Sequence, residues 1–191
     1  MRFVRLRKAN GDSGYARVVG DKLAVWWSGP PFSASKEEGG EVSFRDEDLL
    51  PPVEPKKILC VGRNYAAHAK ELGNDVPKEP LLFLKPSSAL LAPFGTLVLP
   101  KASERVEHEA ELAIVIGRAI KNASPAQAMD AVFGYTCAGD ITARDLQRKD
   151  GQFTRAKGFD GFCPVGPHVE TELDPSNLRI SCQVNGQSRQ E

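Results

Sequence analysis

Short apolar runs separated by turn-forming residues recur along this chain, and many carry the two-residue alternation of a half-buried strand. Phe3-Val4-Arg5-Leu6-Arg7, Tyr15-Ala16-Arg17-Val18-Val19 and Leu23-Ala24-Val25-Trp26-Trp27 predict three strands. Asn10-Gly11-Asp12 turns between the first two, and Gly29-Pro30-Pro31 ends the third. The polar, glycine-containing run Ser33–Glu41 reads as a surface loop. Pro51-Pro52-Val53-Glu54-Pro55 predicts a linker, because consecutive prolines suit neither a helix nor a central strand. The chain thus divides into a small β-rich domain over residues 1–50, a linker over 51–55 and a larger domain over 56–191.

The larger domain opens with an apolar strand, Ile58-Leu59-Cys60-Val61, closed by Gly62. A short helix is expected from about Tyr65 to Leu72, stopped at Gly73-Asn74. Leu81–Leu84, Ala110–Gly117 and Tyr135–Ala138 read as further strands, and Thr96–Leu99 as a strand or loop. Ser124-Pro125 supplies an N-cap and first-turn proline for a helix through Ala126–Phe133, and Thr142–Arg148 suits one or two helical turns. Near the end, Leu178–Val184 alternates as a strand, and Asn185-Gly186 is the strongest short signal for a hairpin turn. The return strand has barely begun at Glu191, so the larger domain is expected to be incomplete at its C-terminus. The elements together predict an α+β protein, mostly strand, with a few short helices.

Composition narrows the function classes. With 191 residues, 41% hydrophobic and 26% charged, the chain suits an ordinary globular protein. Lys plus Arg and Asp plus Glu both number 25, so no net field draws it to nucleic acid or to an anionic membrane. No apolar run is long enough to span a bilayer, and Met1–Arg7 lacks the apolar core of a secretory signal. A cytoplasmic protein is expected. Cys60, Cys137, Cys163 and Cys182 are scattered, without zinc-site spacing, and read as reduced and structural.

Three places carry candidate chemistry. Glu109 and Glu111 are two apart in a strand candidate, so their carboxylates share a face. Such a pair is either an acidic strand surface or a site for a hard divalent ion, since oxygen-only ligation favours Mg²⁺ or Mn²⁺ over zinc. Asp140 follows Gly139 at a strand end, where it suits a third ligand or a helix N-cap equally. His68 and Glu71 are three apart on the expected helix and share a face there, as a surface pair or as a base with its orienting carboxylate. Lys157, bracketed by glycine, and Lys85, before Pro86, are either solvated or ligand-facing. No Walker loop, G-x-G-x-x-G, G-x-S-x-G or H-E-x-x-H motif is present.

In combination these segments resemble the fumarylacetoacetate hydrolase superfamily, in particular its bacterial acylpyruvase and 2-hydroxyhepta-2,4-diene-1,7-dioate isomerase branch. The resemblance rests on Val61-Gly62-Arg63-Asn64-Tyr65-Ala66-Ala67-His68, Pro80-Leu81-Leu82-Phe83-Leu84-Lys85-Pro86 and Glu109-Ala110-Glu111-Leu112-Ala113-Ile114-Val115-Ile116-Gly117. Gly134-Tyr135-Thr136, Asp140-Ile141-Thr142-Ala143-Arg144-Asp145-Leu146-Gln147 and Ala156-Lys157-Gly158-Phe159-Asp160 follow in the family's order. It implies a mixed β-sandwich roll preceded by a small N-terminal β domain, usually as a homodimer.

The resemblance also implies roles. Glu109, Glu111 and Asp140 match metal-binding carboxylates, for Mg²⁺ or Mn²⁺. His68 and Glu71 match a dyad that activates water, and Lys157 matches a lysine that stabilises an enolate. Arg144 and Gln147 fall near metal and substrate, and Arg63 and Lys85 match substrate contacts more loosely. The implied substrate is a small keto acid, and the implied reaction is hydrolysis of the C–C bond of an acylpyruvate through a metal-stabilised enolate. Isomerisation or decarboxylation of related dioates, oxaloacetate included, and a non-catalytic metal- or ligand-binding remnant are the alternatives. Family members continue with further strands and a Gly-Thr-Pro-x-Gly loop that this sequence lacks.

Overall fold

Strands β1 (Arg2–Arg7), β2 (Ser13–Gly20) and β3 (Leu23–Trp27) form an antiparallel meander in register Val4↔Ala16 and Arg17↔Val25. The structure is a computed structural model and describes residues 1–65 and 77–190. The alternation expected for these strands is present: Val4, Leu6, Ala16 and Ala24 point inward and close a core with Phe44 and Leu49. β4 (Glu37–Ser43) pairs with β3 at the sheet edge, where a loop was expected from Ser33 to Glu41. Its Glu-Glu-Gly-Gly-Glu composition has no apolar alternation to betray it, and the ladder to β3 makes the strand. Gly39, at φ 114°, lies so close to Trp26 that an added Cβ would stand 3.3 Å from the Trp26 Cβ.

After β5 (Leu49–Leu50) the chain enters β6 (Ile58–Gly62) and β7 (Leu81–Lys85), a two-stranded sheet with Leu59 opposite Leu84 and Val61 opposite Leu82. One face of this pair, carrying those four aliphatic side chains, is exposed; the other carries Phe83 and buried Lys85. β8 (Leu90–Leu91) and β9 (Val106–Glu107) are two-residue strands, with a loop over Thr96–Leu99. β10 (Ala110–Ile116) and β11 (Val132–Gly139) then form a long antiparallel pair. Between them, helix α1 (Pro125–Met129) begins at Ser124 with the expected N-cap, reinforced by Gln127 in a reciprocal capping box. It ends earlier than its sequence pattern suggests, because Val132 is taken into the ladder opposite Ile116. Sheet pairing there outweighs weak helical propensity.

β12 (Thr142–Ala143) pairs with β9, and helices α2 (Arg144–Asp150) and α3 (Phe153–Lys157) follow. Thr142 and Ala143 are therefore strand, and the helix starts only at Arg144. β13 (Cys163–Glu170) joins the two halves of the molecule, pairing with β11 on one side and with β1 on the other. One sheet thus runs β10-β11-β13-β1-β2-β3-β4, with β5 against β1 and β8 parallel to β13. Gly134 lets β11 and β13 approach: a Cβ there would meet the Glu170 carbonyl at 2.5 Å. β14 (Cys182–Val184) and β15 (Gln187–Gln190) form the expected hairpin across Asn185-Gly186, both at positive φ (53° and 75°). The strand expected from Leu178 begins only at Cys182, after a 3₁₀ turn at Pro175–Asn177.

The protein is mostly β with short helices, as its sequence predicts. All four cysteines are free, but Cys137 is exposed rather than buried. Among the described residues no helix is long and apolar enough to cross a membrane. After Tyr65, the helix expected to reach Leu72 lies outside the described residues, and His68 and Glu71 lie there with it.

Candidate metal centre

The β10–β11 ladder brings the three carboxylates together. Ala110 pairs with Gly139 and Glu111 with Ala138, and the Asp140 amide donates to the Glu109 carbonyl at 2.8 Å, one step further along. Residues directly opposite in an antiparallel pair point to the same face. Glu109, Glu111 and Asp140 therefore converge, with one carboxylate oxygen from each lying within 4.8 Å of the others. Asp140 does not cap the following helix, whose N-cap is Ala143.

Among the described residues, cations form ion pairs with two of these carboxylates and with no oxygen of the third. The Lys157 ammonium, buried at the end of α3, donates to Asp140 Oδ2, to the Thr142 hydroxyl at 2.8 Å and to Glu109 Oε2 at 3.3 Å. Arg144 donates from Nη2 to Glu109, from Nε to Glu107 at 2.7 Å and from Nη1 to Gln147 at 3.0 Å. Among the described residues no hydrogen bond or ion pair reaches Glu111. Burial, then the charges of Asp140 and Glu109, push its carboxyl up to about 7.

The fit to a divalent ion can be tested on these atoms. Asp140 Oδ1 is buried without a hydrogen bond, although the Lys85 ammonium is 2.8 Å away. The three hydrogens of that ammonium go to the carbonyls of Ile141, Lys157 and Phe162. Asp140 thus has charge nearby but an oxygen lone pair unused, and among the described residues Glu111 has neither hydrogen-bond donor nor ion-pair partner. Carboxylate oxygens with these properties suit a hard divalent cation, which would cancel their mutual repulsion.

The other expected site residues divide. Lys157, Arg144 and Gln147 stand at the carboxylate cluster. Lys85 differs from its expected role as a substrate contact: its side chain has no exposure and its donors are saturated by backbone. Arg63 follows β6 in a turn at positive φ (54°), exposed, and takes part in none of the ion pairs described for the cluster. Glu107 and Thr142 were missed. The spacing Glu107-x-Glu109-x-Glu111 carried the signal for the first, since all three positions share the strand period. A cleft of about 940 Å³ among Arg7, Lys8, Trp26, Trp27 and Arg45 contains none of these residues.

With the geometry in place, comparison with known proteins decides the relationship. The family model for the fumarylacetoacetate (FAA) hydrolase C-terminal domain matches residues 57–191. The chain belongs to the fumarylacetoacetate hydrolase family. This family consists of metal-dependent enzymes, isomerases, tautomerases and hydrolases among them. The uncharacterized protein MJ1656 of Methanocaldococcus jannaschii is 52% identical over 138 residues, which cover 72% of this chain and 58% of that protein. The chain thus spans less than two thirds of the length of the first curated relatives it matches. Bovine mitochondrial oxaloacetate tautomerase FAHD2A is 44% identical over 155 residues, covering 78% of this chain and 48% of that protein. Among solved fumarylacetoacetate hydrolase family structures, the 5-carboxymethyl-2-hydroxymuconate delta-isomerase of Mycobacterium smegmatis superposes with a TM-score of 0.89 at 40% identity. The match covers all of this chain and 74% of that one.

Proposed function

We propose that this chain builds the metal centre of an enzyme that interconverts keto and enol forms of small 2-oxo dicarboxylic acids, using Mg²⁺ or Mn²⁺. The observation that carries the reading is Glu111, a carboxylate held beside two others with no cation of its own among the described residues. A divalent ion bound there supplies a Lewis acid that lowers the energy of negative charge developing on a 2-oxo oxygen. Lys157 brings a second cation to the same place, a donor for that oxygen in a site largely shielded from water. Arg144 offers a planar guanidinium suited to a substrate carboxylate. The names of the bovine tautomerase and the mycobacterial isomerase support a proton shift rather than bond cleavage. Hydrolysis of an acylpyruvate needs an activated water as well, and its expected base, His68 with Glu71, lies outside the described residues. A homodimer belongs to the same reading, supported by the exposed aliphatic face of Leu59, Val61, Leu82 and Leu84.

The test is the enol-to-keto conversion of oxaloacetate, followed by the decay of enol absorbance. Pyruvate release from oxaloacetate and from acetylpyruvate is measured beside it. Acceleration that needs Mg²⁺ and disappears in Glu109→Gln supports the proposal. Cleavage of acetylpyruvate without such acceleration replaces it with a hydrolase. Metal binding with no turnover of either compound leaves a binding role alone. Sedimentation velocity tests the dimer, and a single species of monomer mass removes it.

A further inference from the structure

Glu107 stands just outside the carboxylate cluster, on the two-residue strand β9. Its backbone lies opposite Thr142 in the β9–β12 pair, and the Arg144 amide donates to the Arg105 carbonyl at 2.8 Å. This short ladder places the Glu107 carboxylate against the Arg144 guanidinium, Oε2 to Nε at 2.7 Å. The other oxygen, Oε1, takes Arg105, at 2.7 Å from Nε and 2.6 Å from Nη2. Arg105 is largely exposed, whereas the Arg144 side chain is only 9% exposed, so the inner contact is the stronger one.

The distribution of the Arg144 bonds matters. Nε and Nη2 form the edge of a guanidinium that grips a single carboxylate with two parallel bonds. Here that edge is split: Nε goes to Glu107 and Nη2 to Glu109. Arg144 thereby holds Glu109 through one oxygen, Oε1, while Lys157 donates to its Oε2 at 3.3 Å. Without Glu107, the nearest carboxylate able to take the whole edge is Glu109. A two-point grip from Arg144 would compete directly with a cation for that carboxylate. The loss of the Glu107 charge would also leave the centre more positive, which repels a divalent ion further.

We propose that Glu107 is a positioning residue of the metal centre: by occupying Arg144 Nε it keeps the guanidinium from closing on Glu109 with both donors, and so favours a divalent cation over Arg144 at that carboxylate. The inference rests on the metal reading above. It adds a carboxylate that does not itself bind the ion, and it assigns Arg144 a brake on metal binding that Glu107 holds off.

The experiment is a double-mutant cycle read by Mn²⁺ binding, with free Mn²⁺ measured by electron paramagnetic resonance on the full chain. Glu107→Gln is expected to weaken Mn²⁺ binding roughly tenfold, the scale seen when groups supporting metal ligands are removed. In an Arg144→Met background the same substitution is expected to weaken binding far less, by the effect of the lost charge alone, because the competitor it restrains is gone. Unchanged affinity in Glu107→Gln overturns the proposal. An equal loss in both backgrounds overturns it too, since Glu107 would then act independently of Arg144. Glu109→Gln separates the two levels: if it binds Mn²⁺ as the parent does, the metal reading itself fails. Should Glu107→Gln not fold, Glu107→Asp withdraws the carboxylate by one methylene and serves the same cycle.

Discussion

The Lys85 ammonium lies 2.8 Å from Asp140 Oδ1, yet its hydrogens are spent on the carbonyls of Ile141, Lys157 and Phe162. Those carbonyls belong to the turn after Asp140, the last residue of α3 and the segment entering β13. One buried cation therefore ties three chain segments together behind the carboxylates and neutralises Asp140 from the rear. Lys85→Met would take a buried donor from the carbonyls of Ile141, Lys157 and Phe162 and leave Asp140 with Lys157 as its neighbouring cation. The expected cost is about 3–5 kcal/mol of folding stability, the range for breaking a buried pair from one side. Urea unfolding at neutral pH measures it, and a cost within error of zero would show that water replaces the ammonium there.

Glu111 gives a prediction of opposite sign. Burial and its two acidic neighbours raise its carboxyl from 4.5 to about 7, so the metal-free fold favours the protonated form. Its contribution is fully present below about pH 4.5 and is lost as pH rises through about 7. Glu111→Gln mimics the protonated side chain permanently. At pH 8 without metal, the variant is expected to be more stable than the parent by about 1–3 kcal/mol. Added Mg²⁺ should stabilise the parent and leave the variant unmoved. Thermal unfolding with Mg²⁺ and with a chelator reads both effects.

The same proton sets the pH dependence of metal binding. A cation must displace it from Glu111, so the dissociation constant for Mg²⁺ should rise by up to about tenfold per pH unit below about 7. Above that the curve should flatten. Titration calorimetry between pH 5.5 and 8 gives the profile, and a flat profile across the range would remove Glu111 from the ligand set.

Much of this arrangement was legible in the sequence because it follows from strand periodicity. Glu109 and Glu111 share a face at any register, and a turn such as Asn185-Gly186 has few alternatives. Asp140 was recognisable only as a candidate, since its convergence depends on the pairing of Glu111 with Ala138, a relation between distant segments. β4 was missed because its residues are polar on both sides and only hydrogen bonding to β3 makes it a strand. Lys85 was misread for a related reason. A lysine in an apolar strand looks ligand-facing until the carbonyls that saturate it, 56 to 77 residues away, are in place.

The junction between the N-terminal strands and the carboxylate-bearing pair β10–β11 is testable at Gly134. A Cβ there would stand 2.5 Å from the Glu170 carbonyl and 2.8 Å from Val169 Cγ1, so β11 and β13 would have to separate. Gly134→Ala is expected to cost at least about 2 kcal/mol, a magnitude typical of forced shifts in a packed interior. Loss of Mg²⁺-induced stabilisation in the same variant would show that the strain reaches Asp140, which follows β11 directly.

Lys157 ties stability, metal affinity and turnover together, and its removal should move them in different directions. Its ammonium sits on Asp140 and Glu109, two of the three carboxylates proposed to hold a cation. It is thus both a counter-ion that offsets the repulsion among these carboxylates and a competitor for a bound cation. Lys157→Met should destabilise the metal-free protein, because three carboxylates then face one another with less compensation. It should also tighten Mn²⁺ binding by about tenfold or more, since a positive charge within about 4 Å of the ion is worth several kcal/mol even at an effective dielectric of 20. Turnover, if the proposed chemistry holds, should fall by about a hundredfold to a thousandfold, the usual loss when a donor to a developing oxyanion is deleted. Mn²⁺ titration and oxaloacetate tautomerisation on one preparation measure the two effects. Tighter binding with unchanged turnover would make Lys157 a structural counter-ion only. Weaker binding would mean that the ammonium holds the carboxylates in their converging geometry and does not compete for them.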